Sequence, residues 1–348
     1  MLATESSAVA DANSVAPPPN LAWKQIVAPA EPFLEAVAAR LREQIQAFER
    51  DIAAYAEYAL TNQGKQLRPA LVALSGGAAG KVNDQHVLAA VIIEMVHLAT
   101  LVHDDVMDEA RIRRGRPTLA ARWGSEISVL VGDCLFAHAL KLAAGFPTTE
   151  ICRAVSAATN TVCSGEILQT QRRRNFELSR ADYFKVIQMK TGELFALSCD
   201  LGAYVSGAGA AQRNALRHFG MAIGTAYQIY DDCLDLFGSE AVVGKSLGTD
   251  LAKGKLTLPV LIALDASSGV EQARLRAMLQ DWHPRRVPEL LGLLQSHGAL
   301  EGSCEALHEQ LDAAREKLAA LAESQSRAAL RGLADHLAHQ AEALALPA

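Results

Sequence analysis

The pattern that most restricts this chain is a pair of aspartate clusters, Asp104-Asp105-x-x-Asp108 and Asp231-Asp232-x-x-Asp235, each carried on an apolar run. The first follows His97-Leu98-Ala99-Thr100-Leu101-Val102-His103, and the second follows Gln228-Ile229-Tyr230. With about 3.6 residues per helical turn, His97, Leu101, Asp104 and Asp108 share one stripe, so a hydrophobic face leads into carboxylates one turn apart. A lone Asp-x-x-x-Asp is usually a solvated helix face, but two copies on apolar runs are hard to explain as surface. Asp104 and Asp108 offer hard oxygens to Mg²⁺, which takes few carboxylates and fills its other positions with water and phosphate oxygens.

The rest of the sequence predicts one large helical body. Half of the 348 residues are hydrophobic, enough for a sizeable core. The net charge of −6 argues against a nucleic-acid surface while permitting a local basic pocket. Six cysteines, at 134, 152, 163, 199, 233 and 304, lack any Cys-x-x-Cys pair or His/Cys ligand spacing. They read as small buried hydrophobes in a reducing compartment.

Residues 1–25 are rich in Ala, Ser and Pro without the features of a secretory signal, which predicts a disordered tail. No run of 18 uninterrupted apolar residues predicts a transmembrane segment, and the expected location is the cytoplasm. From Glu31, the spacing of Leu34, Val37, Leu41, Ile45, Phe48, Ile52 and Tyr55 predicts a long amphipathic helix, and a second begins near Pro69. Further helices are expected at 84–109, 127–144, 148–171, 179–205, 211–237, 257–266 and between 288 and 345. With no period-two alternation of strand length, the expected fold class is all-α. Each half of the chain carries half of the acidic site, so residues 26–348 read as one domain.

Anionic substrate chemistry needs cations, and the sequence supplies them where phosphate could reach. Lys65 and Arg68 flank a turn ahead of a helix, Arg113 and Arg114 follow the first cluster beside Gly115, and Lys245 and Lys255 lie in a glycine-rich segment. Lys190 sits among Ile187, Met189, Leu194 and Phe195, which predicts burial, and a buried lysine needs an anion. Lys253, Arg111 and the run Arg172-Arg173-Arg174 read as solvated surface.

Together, Gly64-Lys65-x-x-Arg68-Pro69, His97, the two aspartate clusters, Arg113-Arg114-Gly115, Lys190-Thr191-Gly192, Gln228 and Gly254-Lys255-x-Thr257-Leu258-Pro259 resemble the trans-isoprenyl (polyprenyl) diphosphate synthase family. The pattern is closest to its bacterial medium- and long-chain members. That resemblance implies an isoprenoid synthase type I fold, helices around a deep central cavity, usually as a homodimer. It implies a prenyltransferase that joins an allylic diphosphate to isopentenyl diphosphate head to tail with three Mg²⁺. Carried over by position, Asp104 and Asp108 ligate two Mg²⁺ and Asp231 the third, with Asp105, Asp232 and Asp235 in support. Arg113, Lys190, Lys245 and Lys255 would hold the allylic diphosphate, and Lys65, Arg68, His97 and Arg114 the isopentenyl diphosphate. Thr191 and Gln228 would present oxygens to the developing allylic cation. Gln66 departs from the family, which often has a basic residue there.

The small side chains Ala99 and Thr100 replace the bulky aromatic that short-chain members often carry. A growing tail is therefore expected to run past them toward Val96 and Ile93, giving a medium- or long-chain product that could contact a membrane transiently. A short-chain farnesyl or geranylgeranyl diphosphate synthase is the alternative. A class I terpene cyclase would need no second diphosphate site, against Lys65, Arg68, His97 and Arg114. A non-catalytic partner subunit would have lost acids or lysines that this chain keeps.

Overall fold

The long helix Asp84–Met107 shows how local chemistry sets up the architecture. Asn83 caps it, its side chain accepting from Gln85 N at 3.0 Å while its own N–H donates to His86 Nδ1 at 3.1 Å. Beyond the cap the helix is almost wholly apolar and its middle is buried. It ends in aspartates, where the helix dipole is already negative, so the fold must bring cations to that end.

The computed structural model describes residues 19–61, 64–238 and 247–345. In chain order the α-helices are α1 Pro19–Val27, α2 Glu31–Gln44, α3 Ala53–Leu60, α4 Leu67–Ala79, α5 Asp84–Met107, α6 Leu119–Trp123, α7 Ser125–Ala144, α8 Glu150–Gln171 and α9 Arg180–Ile187. They continue as α10 Glu193–Val205, α11 Ala210–Phe237, α12 Thr249–Ala252, α13 Leu258–Ala266, α14 Gly269–Gln280, α15 Val287–Ser296, α16 Ala299–Lys317 and α17 Gln325–Ala345. The fold is all-α, as expected.

Its core has two lobes. One gathers α2, α5, α7 and α8, and the other gathers α11, α13 and the C-terminal helices. Helices α4 and α10 serve both, Val72 and Leu197 facing the first lobe and Leu71 and Phe195 the second. Two glycines let α10 sit tightly between its neighbours. A Cβ on Gly202 would lie 2.4 Å from Val72 O on α4, and one on Gly220 of α11 would lie 2.5 Å from Phe195 O.

Several expectations need correction. The chain enters the fold before residue 26, because α1 is helical from Pro19 and packs on α17; residues 1–18 lie outside the described ones. The helix expected through Tyr55 breaks after Gln44, where Phe48 becomes extended (φ −91°, ψ 151°) and sets its ring 5.0 Å from His138. A tertiary contact overrides the 3.6-residue period there. Cys199 and Cys233 are buried, and burial pushes the Cys199 thiol up to about 12, but Cys134 and Cys163 are exposed. Two helices, α5 and α7, are long and apolar enough to cross a membrane by length and composition, and the α5 window is 67% buried inside the fold.

One small hairpin interrupts the helices, Ile112–Arg113 (β1) pairing antiparallel with Arg116–Pro117 (β2). Arg114 (φ 53°) and Gly115 (φ 73°) form its tip, the two positive φ angles of a tight primed turn. Tyr58 of α3 fixes the hairpin, donating to Pro117 O at 2.7 Å and stacking under the Arg116 guanidinium at 4.2 Å.

Candidate active site

A cavity of about 1800 Å³ opens between the two lobes. Acids and cations line it together with apolar side chains that include Phe136 of α7 and Val162 and Ile167 of α8. The first aspartate cluster forms where α5 ends. Asp108 is the C-cap, its N–H bonded to Asp104 O at 2.8 Å, so both side chains face one wall.

Each first-cluster acid has found a cation. Lys190 Nζ lies 3.8 Å from Asp104 and also contacts Glu166 of α8, while donating to Gln169 Oε1 at 3.0 Å. Lys190 stands in a π-helical turn, Gln188–Gly192, between α9 and α10. Such turns often mark functional sites. Gly165 of α8 makes room for the bulge, since a Cβ there would meet Lys190 N at 2.9 Å. Burial opposes the charge on Lys190, but Asp104 and Glu166 beside it hold its pKa above the usual lysine value. Burial pushes Asp104 up, against the pull of Lys190. Asp105 turns away from the cavity wall and binds Arg113 Nε at 2.7 Å, tying the hairpin to α5.

Asp108 receives three cations. Lys253 lies at 3.0 Å, Lys255 at 3.3 Å and Arg173 at 3.4 Å. Although burial opposes it, the lysine ammoniums hold Asp108 below the usual carboxylate range. The expectation that Lys253 and Arg173 are solvated surface is therefore overturned. The arginine run divides its work, since Arg172 pairs with Asp182 at 2.8 Å and Arg174 N bonds Gly254 O at 2.7 Å.

The second cluster is held differently. Asp231 lines the same cavity as Asp104 and Asp108. Asp232 accepts from Tyr183 at 2.6 Å and from Gln228 Nε2 at 2.8 Å, while Thr191 donates to Gln228 Oε1 at 2.7 Å. Burial, then the nearby Asp250 charge, pushes the Asp232 carboxyl well up. Asp235 is buried away from the cavity, accepting from Thr249 Oγ1 at 2.6 Å and Asp250 N at 3.1 Å. Asp105 is thus hydrogen-bonded to the hairpin, and Asp235 to the turn before α12.

The isopentenyl diphosphate set converges at the other side of the mouth. Lys65, Arg68, His97 and Arg114 all line the cavity. Gln66 takes the left-handed conformation (φ 50°) and turns the chain into α4. The Arg114 guanidinium lies against Gly64, where a Cβ would meet it at 2.5 Å. Arg68 stacks 4.9 Å over the Phe195 ring, and its buried Nε has no acceptor among the described residues. Burial first, then Arg68 and Arg114, push His97 well below the usual histidine value, so it stands neutral among cations. Glu94, one turn earlier on α5, lines the same corner and was not singled out by the sequence, although it extends the stripe of His97. Glu166, Gln169 and Tyr183 were missed too, and nothing but their placement on faces next to apolar residues marked them.

Lys245 lies outside the described residues. Ala99 is corrected: it is fully buried in the core with Val96 and Ile93, and Thr100 is the residue that borders the cavity, its hydroxyl bonded to His97 O at 2.7 Å. Thr100 shares the cavity lining with Phe136, Val162 and Ile167, whereas Val96 and Ile93 lie in the core.

Among the described residues, no three His, Cys, Asp or Glu side chains already form a metal cage. The donor set still fits Mg²⁺. Asp104, Asp108 and Asp231 all put hard oxygens on one open cavity, leaving positions for water and phosphate as that ion requires.

Comparison with known proteins agrees with this geometry. A family profile described as polyprenyl synthetase matches residues 49–293. The octaprenyl diphosphate synthase of Haemophilus influenzae is 33% identical over 88% of this chain and 93% of its own. The crystal structure of a decaprenyl diphosphate synthase from Rhodobacter capsulatus superposes with a TM-score of 0.85 at 33% identity, over 91% of this chain and 98% of that one. A polyprenyl synthase from Caulobacter crescentus, complexed with calcium and isoprenyl diphosphate, gives the same score and identity over 91% and 97% of the two chains.

Proposed function

The chain belongs to the polyprenyl synthetase family, and from that premise we propose how its own residues make a trans-polyprenyl diphosphate of medium or long chain. It is a prenyltransferase, and neither a short-chain synthase nor a non-catalytic partner subunit is favoured. The substrates are an allylic diphosphate and isopentenyl diphosphate. The observation that carries the reading is one cavity lined together by Asp104, Asp108 and Asp231, by the cations Lys65, Arg68, Arg113, Arg114, Lys190 and Lys255, and by apolar Phe136 and Val162.

In this reading, Lys190, Lys255, Arg113 and Lys245 hold the allylic diphosphate, and Lys65, Arg68, Arg114 and neutral His97 hold isopentenyl diphosphate. Mg²⁺, in three sites held by Asp104, Asp108 and Asp231 with Asp232 behind them, would supply Lewis acidity and charge neutralisation for the departing diphosphate. The cations stabilise the same departing charge in a site with little water. The Thr191 hydroxyl, fixed by Gln228, turns its oxygen to the allylic carbon as positive charge develops. The isopentenyl double bond attacks that carbon, the carbon–oxygen bond to diphosphate having broken, and the proton lost from the new chain passes to the released diphosphate. Apolar side chains at Phe136 and Val162 keep water from the cation and accept the growing tail.

The exposed Val129, Leu130 and Ile167 offer an apolar face to a second copy of the chain, in line with a homodimer. Light scattering after gel filtration would read twice the 37.1 kDa chain mass, and a monomer would remove that part of the reading. The catalytic proposal is tested with labelled isopentenyl diphosphate, Mg²⁺ and two-, three- and four-unit allylic primers. Products of about six units or more support it, and products stopping at three or four would contradict the chain length. No condensation with any primer would contradict the function. A cytoplasmic enzyme touching membrane only to release product would float with liposomes when product is present and stay soluble without it.

A further inference from the structure

The two ends of the first aspartate cluster carry opposite charge surpluses. At Asp104, two carboxylates, its own and Glu166, share Lys190. At Asp108, three cations converge on one carboxylate, and Lys255 alone also reaches Asp250, at 3.7 Å. An excess of carboxylate suits a cation, and an excess of ammonium and guanidinium suits an anion. When a metal takes the oxygens of Asp108, its three cations lose their partner and must face the next nearest anion.

Arg173 is built for that position. Its neighbours are pinned on both sides, Arg172 to Asp182 and Arg174 through its backbone to Gly254, which fixes the backbone of the turn beside Asp108. The same Gly254 bond ties this turn to the segment carrying Lys253 and Lys255. Arg173 Nε is buried with no acceptor among the described residues, an orphaned donor next to a carboxylate that already has two lysines.

We infer that Arg173 and Lys253 are diphosphate-binding residues, a cationic rim on the Asp108 side that grips the allylic diphosphate and holds inorganic diphosphate after it is released. The inference rests on reading the cavity as a diphosphate site. Arginine supplies a planar fork to two phosphate oxygens and lysine a movable point charge.

The test is calorimetric titration of inorganic diphosphate, with and without Mg²⁺, into the wild type, Arg173→Gln, Lys253→Gln and the double variant. Asp182→Asn, which releases Arg172 from outside the cavity lining, serves as the control for a merely structural turn. Each single rim substitution should weaken diphosphate about tenfold, and the double more than either, as expected for charge-assisted bonds. KM for the allylic substrate should rise in step, with KM for isopentenyl diphosphate and the melting temperature unchanged. Lys253→Arg should restore most of the loss. A raised allylic KM with unaltered affinity for inorganic diphosphate would confine the rim to the substrate and overturn its role in holding product. Unchanged affinity and KM in the double variant, or a loss that Lys253→Arg does not recover and Asp182→Asn reproduces, would overturn the inference. Because diphosphate binding is read without turnover, a wild type that binds it but condenses nothing would defeat the proposed function and leave this inference standing.

Discussion

The two aspartate clusters share a sequence pattern and differ in how they are held. Around Asp104 and Asp108 the partners are long cations, Lys190, Lys253, Lys255 and Arg173, whose tips can move to another anion. Around Asp232 and Asp235 the partners are short fixed donors, the hydroxyls of Tyr183 and Thr249, the Gln228 amide and the Asp250 backbone. The first cluster is an exchangeable set of charges, and the second is a frame from which Asp231 faces the cavity. A repeated motif thus need not repeat its job, because burial and partners decide what each carboxylate does.

The comparison breaks most visibly in turnover. Asp104→Ala and Asp231→Ala should each lower kcat by about 10²–10³-fold, with the circular dichroism spectrum retained, since each removes charge stabilisation of the leaving group. Near-normal turnover in either would mean that the cluster is not where the metal sits. Asp235→Ala belongs to the frame and should instead lower unfolding free energy in urea by about 2–3 kcal/mol, from the loss of buried bonds to a charged acceptor. An unaffected midpoint would show that the turn before α12 does not depend on it.

The residues one turn before each cluster sharpen the contrast further. Thr100 precedes Asp104 and Tyr227 precedes Asp231, and both border the cavity. Thr100 stands on α5, which packs on α7 carrying the apolar lining residue Phe136, so Thr100→Phe should shorten the product by several units and Phe136→Ala should lengthen it. Tyr227→Phe should change neither; a shifted profile in that variant would put the tail on the wrong side of the cavity.

The smallest effect concerns pH. His97 is held neutral by burial and by Arg68 and Arg114, so its folded pKa lies below its unfolded value near 6.5. As pH falls below about 6.5 the unfolded chain binds a proton that the folded chain refuses, and stability drops by up to about 1.4 kcal/mol per pH unit. His97→Gln removes that contribution, so its stability should fall less steeply between pH 6.5 and 5 than that of the wild type. Equal slopes would mean that His97 protonates freely in place.

Much of this was legible in the chain. Helix periods located α5, α7, α8 and α11 closely, because those helices bury one continuous face, whereas the single helix expected at 179–205 is α9 and α10 joined through the π-helical turn. Lys190 was predicted buried and anion-paired from its apolar neighbours alone, and Glu166 and Asp104 are those anions. What escaped depended on which way a side chain turns. Ala99 and Thr100 are adjacent, yet one helical step of about 100° puts the first in the core and the second on the cavity. Arg173 looked solvated because a run of three arginines carries no period. The bond from Arg174 to Gly254, far away in sequence, is what aims it inward.

The most direct test of the difference between the clusters is a crystal structure with Mg²⁺ and a non-ionising allylic thiolodiphosphate. The account predicts that Lys190, Lys253, Lys255 and Arg173 leave Asp104 and Asp108 for phosphate oxygens, while Asp232 keeps Tyr183 and Asp235 keeps Thr249 and the Asp250 N–H. Cations still seated on Asp104 and Asp108, or Asp235 turned onto a metal, would contradict it.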